Sequence, residues 1–279
     1  SLGVNYIIEG SGQKFGSTFR LRAQLIEVST DKHIWSKSYQ QRMKDTKKFF
    51  RIQNRIAKNI ASELKATITQ EEKKLIEKVP TANIAALDLY LKANSYQKDI
   101  KNTRNQSSYQ TAVDLYNAAL KSDSAYAKAY TGLAFAYWNR YYYETYFKEN
   151  YLDSCLNLAK KALSYDNQLD EAYFIIGEYY RVKSQPEQAL VNYDKALEIN
   201  PNYYQIYLEK GHSFALFSAD YVKALESYHK GLILIQGEGR RVLLSDLAYD
   251  YLCVGFIEKA KYYYHEAFAL NGNKASYLG

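Results

Sequence analysis

The stretch from Asp170 to Tyr203, DEAYFIIGEYYRVKSQPEQALVNYDKALEINPNY, constrains the fold of this chain more than any other. Apolar and small side chains recur in its first half at the spacing of one helical face, and a second such set follows the polar break at 184–186. Pro201 ends the second set, because proline lacks a backbone N–H and disfavours a helical residue before it. The spacing predicts two antiparallel helices, and small residues such as Gly177 and Ala189 allow them to approach closely.

This pattern resembles a tetratricopeptide repeat (TPR), a helical hairpin of 34 residues. Counting in register from it gives four further units, at about 86–126, 127–169, 204–238 and 241–273. Because one unit cannot bury its apolar face alone, neighbouring units must stack on it. We expect residues 81–279 to form an array of about five hairpins, and the resemblance implies a right-handed superhelix. The fold class is therefore mainly α.

Residues 1–80 read as a small α+β piece before that array. Apolar and polar residues alternate in 19–25, which is typical of a strand with one wet face. Turn residues at 12–16 and 29–32 divide the segment from about 4 to 40 into a three-stranded antiparallel meander. An apolar stripe then predicts one long helix over about 45–78, which Pro80 ends.

Four segments in this order carry a second resemblance: LGVNYIIEGS, FRLRAQLIEVSTDKHIWSKSY, IQNRIAKNIASEL and PTANIAALDLYLKA. Together they resemble the carboxyl half of a TolB-like amino-terminal domain joined to TPRs. That combination occurs in bacterial class III adenylate cyclases and in membrane-associated transcriptional regulators. The resemblance implies a regulatory fragment whose output domain lies outside these residues. The chain also begins at Ser1 rather than at methionine, so we expect a piece of a longer protein.

The net charge of +7 is unevenly placed along the chain. Residues 1–79 hold 16 Lys/Arg against 8 Asp/Glu, whereas the remainder holds 21 against 22. A solvated face is one interpretation of this basic region; anionic lipid heads and nucleic acid are the others. Nucleic acid is the least favoured of these, since the sequence has no motif that reads a DNA groove. A membrane is expected only as a neighbour, through the parent protein. The residues of this basic face are Arg20, Arg22, Lys47, Lys48, Arg51, Arg55 and Lys58.

The sequence shows no recognisable catalytic, metal-binding or nucleotide-binding motif. Its four histidines fall in separate predicted elements, without the spacing of a metal site, and we interpret them as surface or rim residues. The glycines at 10, 12 and 16 do not have dinucleotide-loop spacing. Cys155 and Cys253 stand where a repeat places small packed residues, which predicts buried, inert thiols. We predict no enzymatic activity, metal or cofactor for this fragment. No apolar run is long enough to span a bilayer, and the compartment, cytoplasmic or periplasmic, stays open.

Recognition of a protein or peptide is the function that the repeats favour. In a TPR superhelix, positions two, five, nine and twelve of each unit line the concave groove, so the resemblance places the partner there. The alternative is that these positions pack on adjoining helices. The predicted groove residues are Tyr90, Asn94, Lys128, Thr131, Phe135, Trp138, Glu171, Phe174, Glu178, Arg181, Gln205, Leu208 and His212, with Ser245 and Tyr249 in the last unit.

Two further features leave alternatives open. The aromatic run from Tyr137 to Tyr151 occupies an insertion of nine residues, and it either packs the helix tips or offers a patch to a partner. An incomplete sheet would expose a strand edge, which favours a homodimer through edge pairing. A structural assembly module is therefore the alternative to a regulatory binding module.

Overall fold

The computed structural model describes residues 5–15, 18–42, 46–103, 106–143, 151–235 and 238–275. Within them, the chain is mainly helical, and a three-stranded sheet precedes twelve helices. The predicted fold class is confirmed. Two compact units, residues 3–132 and 133–279, are described here in turn. The division falls inside a helix, so the domain boundary expected near residue 80 stays a prediction.

The sheet is an antiparallel meander of β1 (Tyr6–Phe15), β2 (Thr18–Glu27) and β3 (Lys32–Arg42). The turn predicted at 29–32 lies between β2 and β3. The loop predicted at 12–16 is wrong, because β1 stays paired with β2 as far as Phe15, opposite Thr18. Glycine does not end the strand: Gly10 and Gly12 continue the ladder opposite Ala23 and Leu21. Residues 16 and 17 lie outside the described part of the chain.

The single helix predicted over 45–78 is also wrong, because the structure has two: α1 (Thr46–Glu63) and α2 (Gln70–Glu77). Lys65 adopts a left-handed φ of 54°, and the N–H of Ala66 bonds back to the carbonyl of Ala61 at 2.8 Å, which closes the end of α1. Thr69 and Glu72 form a reciprocal capping box that starts α2. A helix end and a helix start therefore lie inside the continuous apolar stripe.

One face of the sheet packs against α1. The rings of Phe19 and Phe49 meet edge to face at 5.9 Å, and Asn59 donates a hydrogen bond to the Tyr39 hydroxyl at 3.2 Å. Ala23 and Leu25, on the same alternation of β2 as Phe19, are buried. Arg20 and Arg22 occupy the other alternation, so they lie on the face that points away from α1.

Helical hairpins begin with α3 (Ile84–Thr103) and α4 (Gln106–Ser122). The Asn83 side chain accepts the N–H of Ala86 at 3.1 Å and caps α3. At the start of α5 (Ala127–Tyr143), Gly132 lies against the buried ring of Tyr116. A Cβ at this glycine would come within 2.4 Å of that ring, so only glycine admits the tyrosine here.

The second unit repeats this device within single hairpins. Gly177 faces Tyr193, and Gly211 faces Tyr228, with both rings almost fully buried. Small residues of the first helix therefore seat a tyrosine of the second, as the sequence spacing predicts. The helices of this unit after α5 are α6 (Tyr151–Tyr165), α7 (Asp170–Val182), α8 (Pro186–Ile199), α9 (Tyr204–Ser218), α10 (Tyr221–Leu234), α11 (Glu238–Cys253) and α12 (Ile257–Ala275).

Two sequence expectations in this unit are only partly met. Cys155 is buried, and burial raises the pKa of its thiol to about 12, but Cys253 is exposed rather than packed. The aromatic run has its two ends in contact, since the rings of Tyr137 and Tyr151 lie 5.5 Å apart. The run's central part, residues 144–150, lies outside the described residues. Across the described ranges, no helix is long and apolar enough to cross a bilayer.

Candidate partner-binding site

Charged side chains connect the first helices of three successive hairpins in the second unit. Arg181 donates two hydrogen bonds to Glu178, at 3.0 and 2.8 Å, and its Nε also lies 3.2 Å from a Glu209 carboxylate oxygen. The two ring nitrogens of His212 lie 3.4 Å from Glu209 and 3.2 Å from Asp246. We call this line from α7 through α9 to α11 the charged ladder; its members are Glu178, Arg181, Glu209, His212 and Asp246.

The charged ladder is strongly coupled to the packing below it. Glu178 is only 3% exposed and also accepts a hydrogen bond from the Tyr193 hydroxyl of α8. Burial and the nearby charge of Glu209 raise the pKa of Glu178, while its bonds with Arg181 and Tyr193 act the other way. Burial alone would lower the pKa of His212, but Asp246 and Glu209 raise it to about 10. With this pKa, His212 is a cation at neutral pH, and it lies between the carboxylates of Glu209 and Asp246.

Asp250 lies one helical turn beyond Asp246 on α11, and it is the residue that this network leaves incomplete. It is 2% exposed, and its Oδ2 atom is buried without a hydrogen-bond partner. Burial and the charge of Asp246 raise the pKa of Asp250 to about 6, while His212 lowers it. Such an oxygen is costly to bury, since it loses its water without gaining a donor.

Only some of the predicted groove residues come together here. Glu178, Arg181 and His212 belong to the charged ladder. Phe135 stacks on Phe174 with ring centroids 6.1 Å apart, but Phe174 is 8% exposed and packs into the core of its hairpin. Two other predicted residues of this unit, Leu208 and Gln205, are half-buried, and Leu208 packs on an apolar cluster with Tyr228.

Several other predicted positions act in packing, which was the alternative interpretation. Tyr90 contacts the rings of Tyr116 and Tyr126, and the Asn94 side chain accepts a hydrogen bond from the Tyr116 hydroxyl at 2.6 Å. Thr131 is buried, with its hydroxyl bonded to its own helix. Trp138 is buried too, so it offers no free apolar surface. By contrast, the predicted positions Lys128, Glu171 and Tyr249 are exposed, and Ser245 is half-buried.

Sequence reasoning missed three carboxylates of the site: Glu209, Asp246 and Asp250. Glu209 and Asp246 stand at position six of their units, outside the inward positions that the resemblance supplies. Aligning the last two units would have shown an acid recurring at that position. His212 is partly exposed, as a rim residue would be, but its side chain also lies between two of those carboxylates, which the sequence did not indicate.

The predicted basic face is divided by the fold. Lys47, Arg51, Arg55 and Lys58 line a cleft of about 520 Å³ beside α2, where Lys58 forms an ion pair with Glu77. Lys48 is exposed on α1 but does not line this cleft. Arg20 and Arg22 lie on the opposite face of the sheet, where Arg20 donates to Gln40 at 3.2 Å. One continuous basic surface is therefore absent among these seven described side chains.

One of these hairpins matches a known family of repeats. The family model described as tetratricopeptide repeat matches residues 170–203, the same 34 residues that the spacing singles out. The chain contains a tetratricopeptide repeat. The TPR hairpin α7–α8 thus supplies Glu178 and Arg181 to the charged ladder, together with Tyr193, whose hydroxyl bonds to Glu178.

Solved structures agree with a TPR-type fold. A crystal structure of MamA superposes with a TM-score of 0.50 at 20% sequence identity, covering 63% of this chain and 95% of that one. A MamA RS-1 double mutant has a TM-score of 0.50 at 13% identity, covering 66% and 97%. At such identities the likeness concerns the fold alone.

A curated relative gives a different kind of similarity. Over 92 residues, the chain is 28% identical to a putative adenylate cyclase 3 of Rhizobium meliloti (strain 1021). The match covers 33% of this chain and 15% of that protein.

Within the described residues, no group of three metal-ligating side chains is close enough to hold an ion.

Proposed function

We propose that this chain is a non-catalytic module that binds a protein or peptide partner, and that the charged ladder is its docking surface. The observation that carries this is the position of the ladder: it runs across the first helices of successive hairpins, α7, α9 and α11. Glu209, His212 and Asp246 keep part of their side chains in solvent, so a partner can reach them without unfolding the array. Partly buried charges held in fixed positions give specificity to an interface.

A regulatory role in a bacterial signalling protein is the finer part of this proposal. It is supported by the 92-residue similarity to a putative adenylate cyclase and by the resemblance of residues 1–80 to a TolB-like segment. In this reading, the TPR hairpins bind the partner and an output domain elsewhere in the parent protein responds.

The test begins with affinity capture, using the full chain as bait, followed by titration of each purified partner by calorimetry. Glu209→Gln removes the central carboxylate of the charged ladder, while Glu178 and Asp246 still hold the two cations. Glu198→Gln, an exposed acid on the second helix α8, is the matched control. We expect at least tenfold weaker binding for the first variant and unchanged binding for the second. A partner that binds both variants equally tightly would place its site elsewhere.

An assembly role is the second candidate, and the edge strand β1 favours it. Ile8 is 58% exposed and Phe15 is 62% exposed on this strand, and no other strand of the described residues pairs with its outer edge. A long apolar edge is a template for pairing with another chain. Light scattering across a range of protein concentrations tests this, and a monomer at every concentration would contradict it.

A further inference from the structure

The acidic end of the charged ladder has more carboxylates than cations. Asp246 and Asp250 occupy one face of α11, and Glu209 lies across from them on α9. His212 is the cation that acts on all three. Including Asp250, four carboxylates face two cations, Arg181 and His212, so the site carries an excess of negative charge when all are ionised.

A buried oxygen without a donor is a second and independent observation. Asp250 Oδ2 is shielded from solvent, yet no donor of the described chain reaches it. A carboxylate in that situation can either hold a proton or accept a hydrogen bond from a bound group. Each good donor brought to such an oxygen would recover part of the desolvation cost of the free protein.

We propose that this acidic end is the subsite for a lysine or arginine side chain of the bound peptide, with Asp246 and Asp250 as its carboxylate partners. The inference rests on the proposed function, because it names the chemistry of the group that the docking surface selects. Charge complementarity identifies the bound group as a cation. A lysine or arginine side chain would balance the excess carboxylates and supply the N–H donor that Asp250 lacks.

Asp246 is the accessible carboxylate of the proposed subsite. It keeps 29% of its side chain exposed, so the cation of the peptide would contact it first, and Asp250 lies one turn further along the same helix. Tyr249, which precedes Asp250 in sequence, is exposed, and an exposed aromatic ring can contact a cationic side chain. A resident metal ion is disfavoured, since the described carboxylates and histidine do not converge on one point.

Phage-displayed random peptides, selected on the full chain, provide the probe. We expect the selected peptides to be enriched in lysine or arginine at one position. The best of them is then synthesised with a fluorescent label, and its binding is measured by fluorescence anisotropy. Asp250→Asn removes the charge at nearly constant shape, and Glu258→Gln, an exposed acid on α12, is the control.

Asp250→Asn should weaken the binding of the labelled peptide at least tenfold. Replacing the basic residue of the peptide by glutamine should weaken its binding to the wild-type chain to the same extent. The two changes together should add little, because both remove one contact. Peptides without a basic residue that still depend on Glu209 would overturn this inference and leave the proposed function standing. Failure to select any peptide would contradict both.

Discussion

Gly177→Ala tests whether the contact between glycine and tyrosine determines the packing of the TPR hairpin. A Cβ at this position would lie 2.4 Å from Cε1 and 2.6 Å from Cδ1 of Tyr193. The ring cannot turn away, because Tyr193 is fully buried and its hydroxyl donates to Glu178. Either the two helices move apart or the tyrosine shifts, and both changes disturb the interior.

The magnitude follows from two opposing effects. Alanine is favoured over glycine inside a helix by about 1 kcal/mol. Forcing an extra carbon into a close-packed core costs about 1–3 kcal/mol, and weakening the bond to a buried carboxylate adds about 1–2 kcal/mol. We therefore expect Gly177→Ala to lower the free energy of unfolding by about 1–4 kcal/mol, whereas an uncrowded glycine in a helix would give a gain.

Urea unfolding of the full chain, followed by circular dichroism, measures this change. Gly231→Ala in α10 is the comparison, because the atoms nearest its new Cβ lie at 3.2 Å rather than 2.4 Å and belong to neither Tyr193 nor the charged ladder. A double-mutant cycle with Tyr193→Leu isolates the contact: without the ring, the added methyl group should cost little, giving a coupling energy of at least about 1 kcal/mol. Additive effects, or a Gly177→Ala variant that is more stable than the wild type, would refute the reasoning.

Four further outcomes are expected. Because the folded pKa of His212, about 10, exceeds its ordinary 6.5, the free energy of unfolding should fall as pH rises from 7 to 9. Urea unfolding at several pH values should show a smaller fall for His212→Gln than for the wild type. Asp250→Asn should unfold at a higher urea concentration at pH 7. The folded pKa of Asp250, about 6, exceeds its ordinary 3.8, so ionising Asp250 destabilises the folded state by an amount that grows from about pH 4 to pH 6 and stays constant above that. Thr69→Ala should cost about 1 kcal/mol by removing the capping box of α2, seen as faster amide exchange there. Ile8→Lys should abolish any concentration-dependent dimer in light scattering.

The hairpins were predictable from sequence because their packing depends on side-chain size at fixed spacing. The spacing of Gly177, Ala189 and Tyr193 predicts that the two helices of the hairpin approach closely, whatever the neighbouring hairpins are. The sheet was predictable from its period of two, which depends only on which face is wet. The break between α1 and α2 was missed because the apolar stripe continues through it. There, Lys65 takes a left-handed conformation that glycine would have signalled more clearly.

The site was harder to predict than the fold, since it depends on pairs of residues from different helices. Register alone placed Glu178, Arg181 and His212 on the first helices, but it could not show that Glu209 lies between the two cations. It also placed Phe174 and Trp138 in the groove, although both are buried. Whether an inward position meets solvent or a neighbouring helix depends on the distance between hairpins, which the sequence does not state.

Packing and recognition share the same residues in this hairpin. Gly177 admits the Tyr193 ring, the ring carries its hydroxyl to Glu178, and Glu178 fixes the Arg181 side chain that reaches Glu209. Since these contacts follow one another, a change at the buried glycine should reach the surface carboxylate. Gly177→Ala should therefore weaken a partner bound at the charged ladder even under conditions in which the variant is fully folded, whereas Gly231→Ala should not. Equal partner affinity for the two folded variants would separate the core of the hairpin from its docking surface.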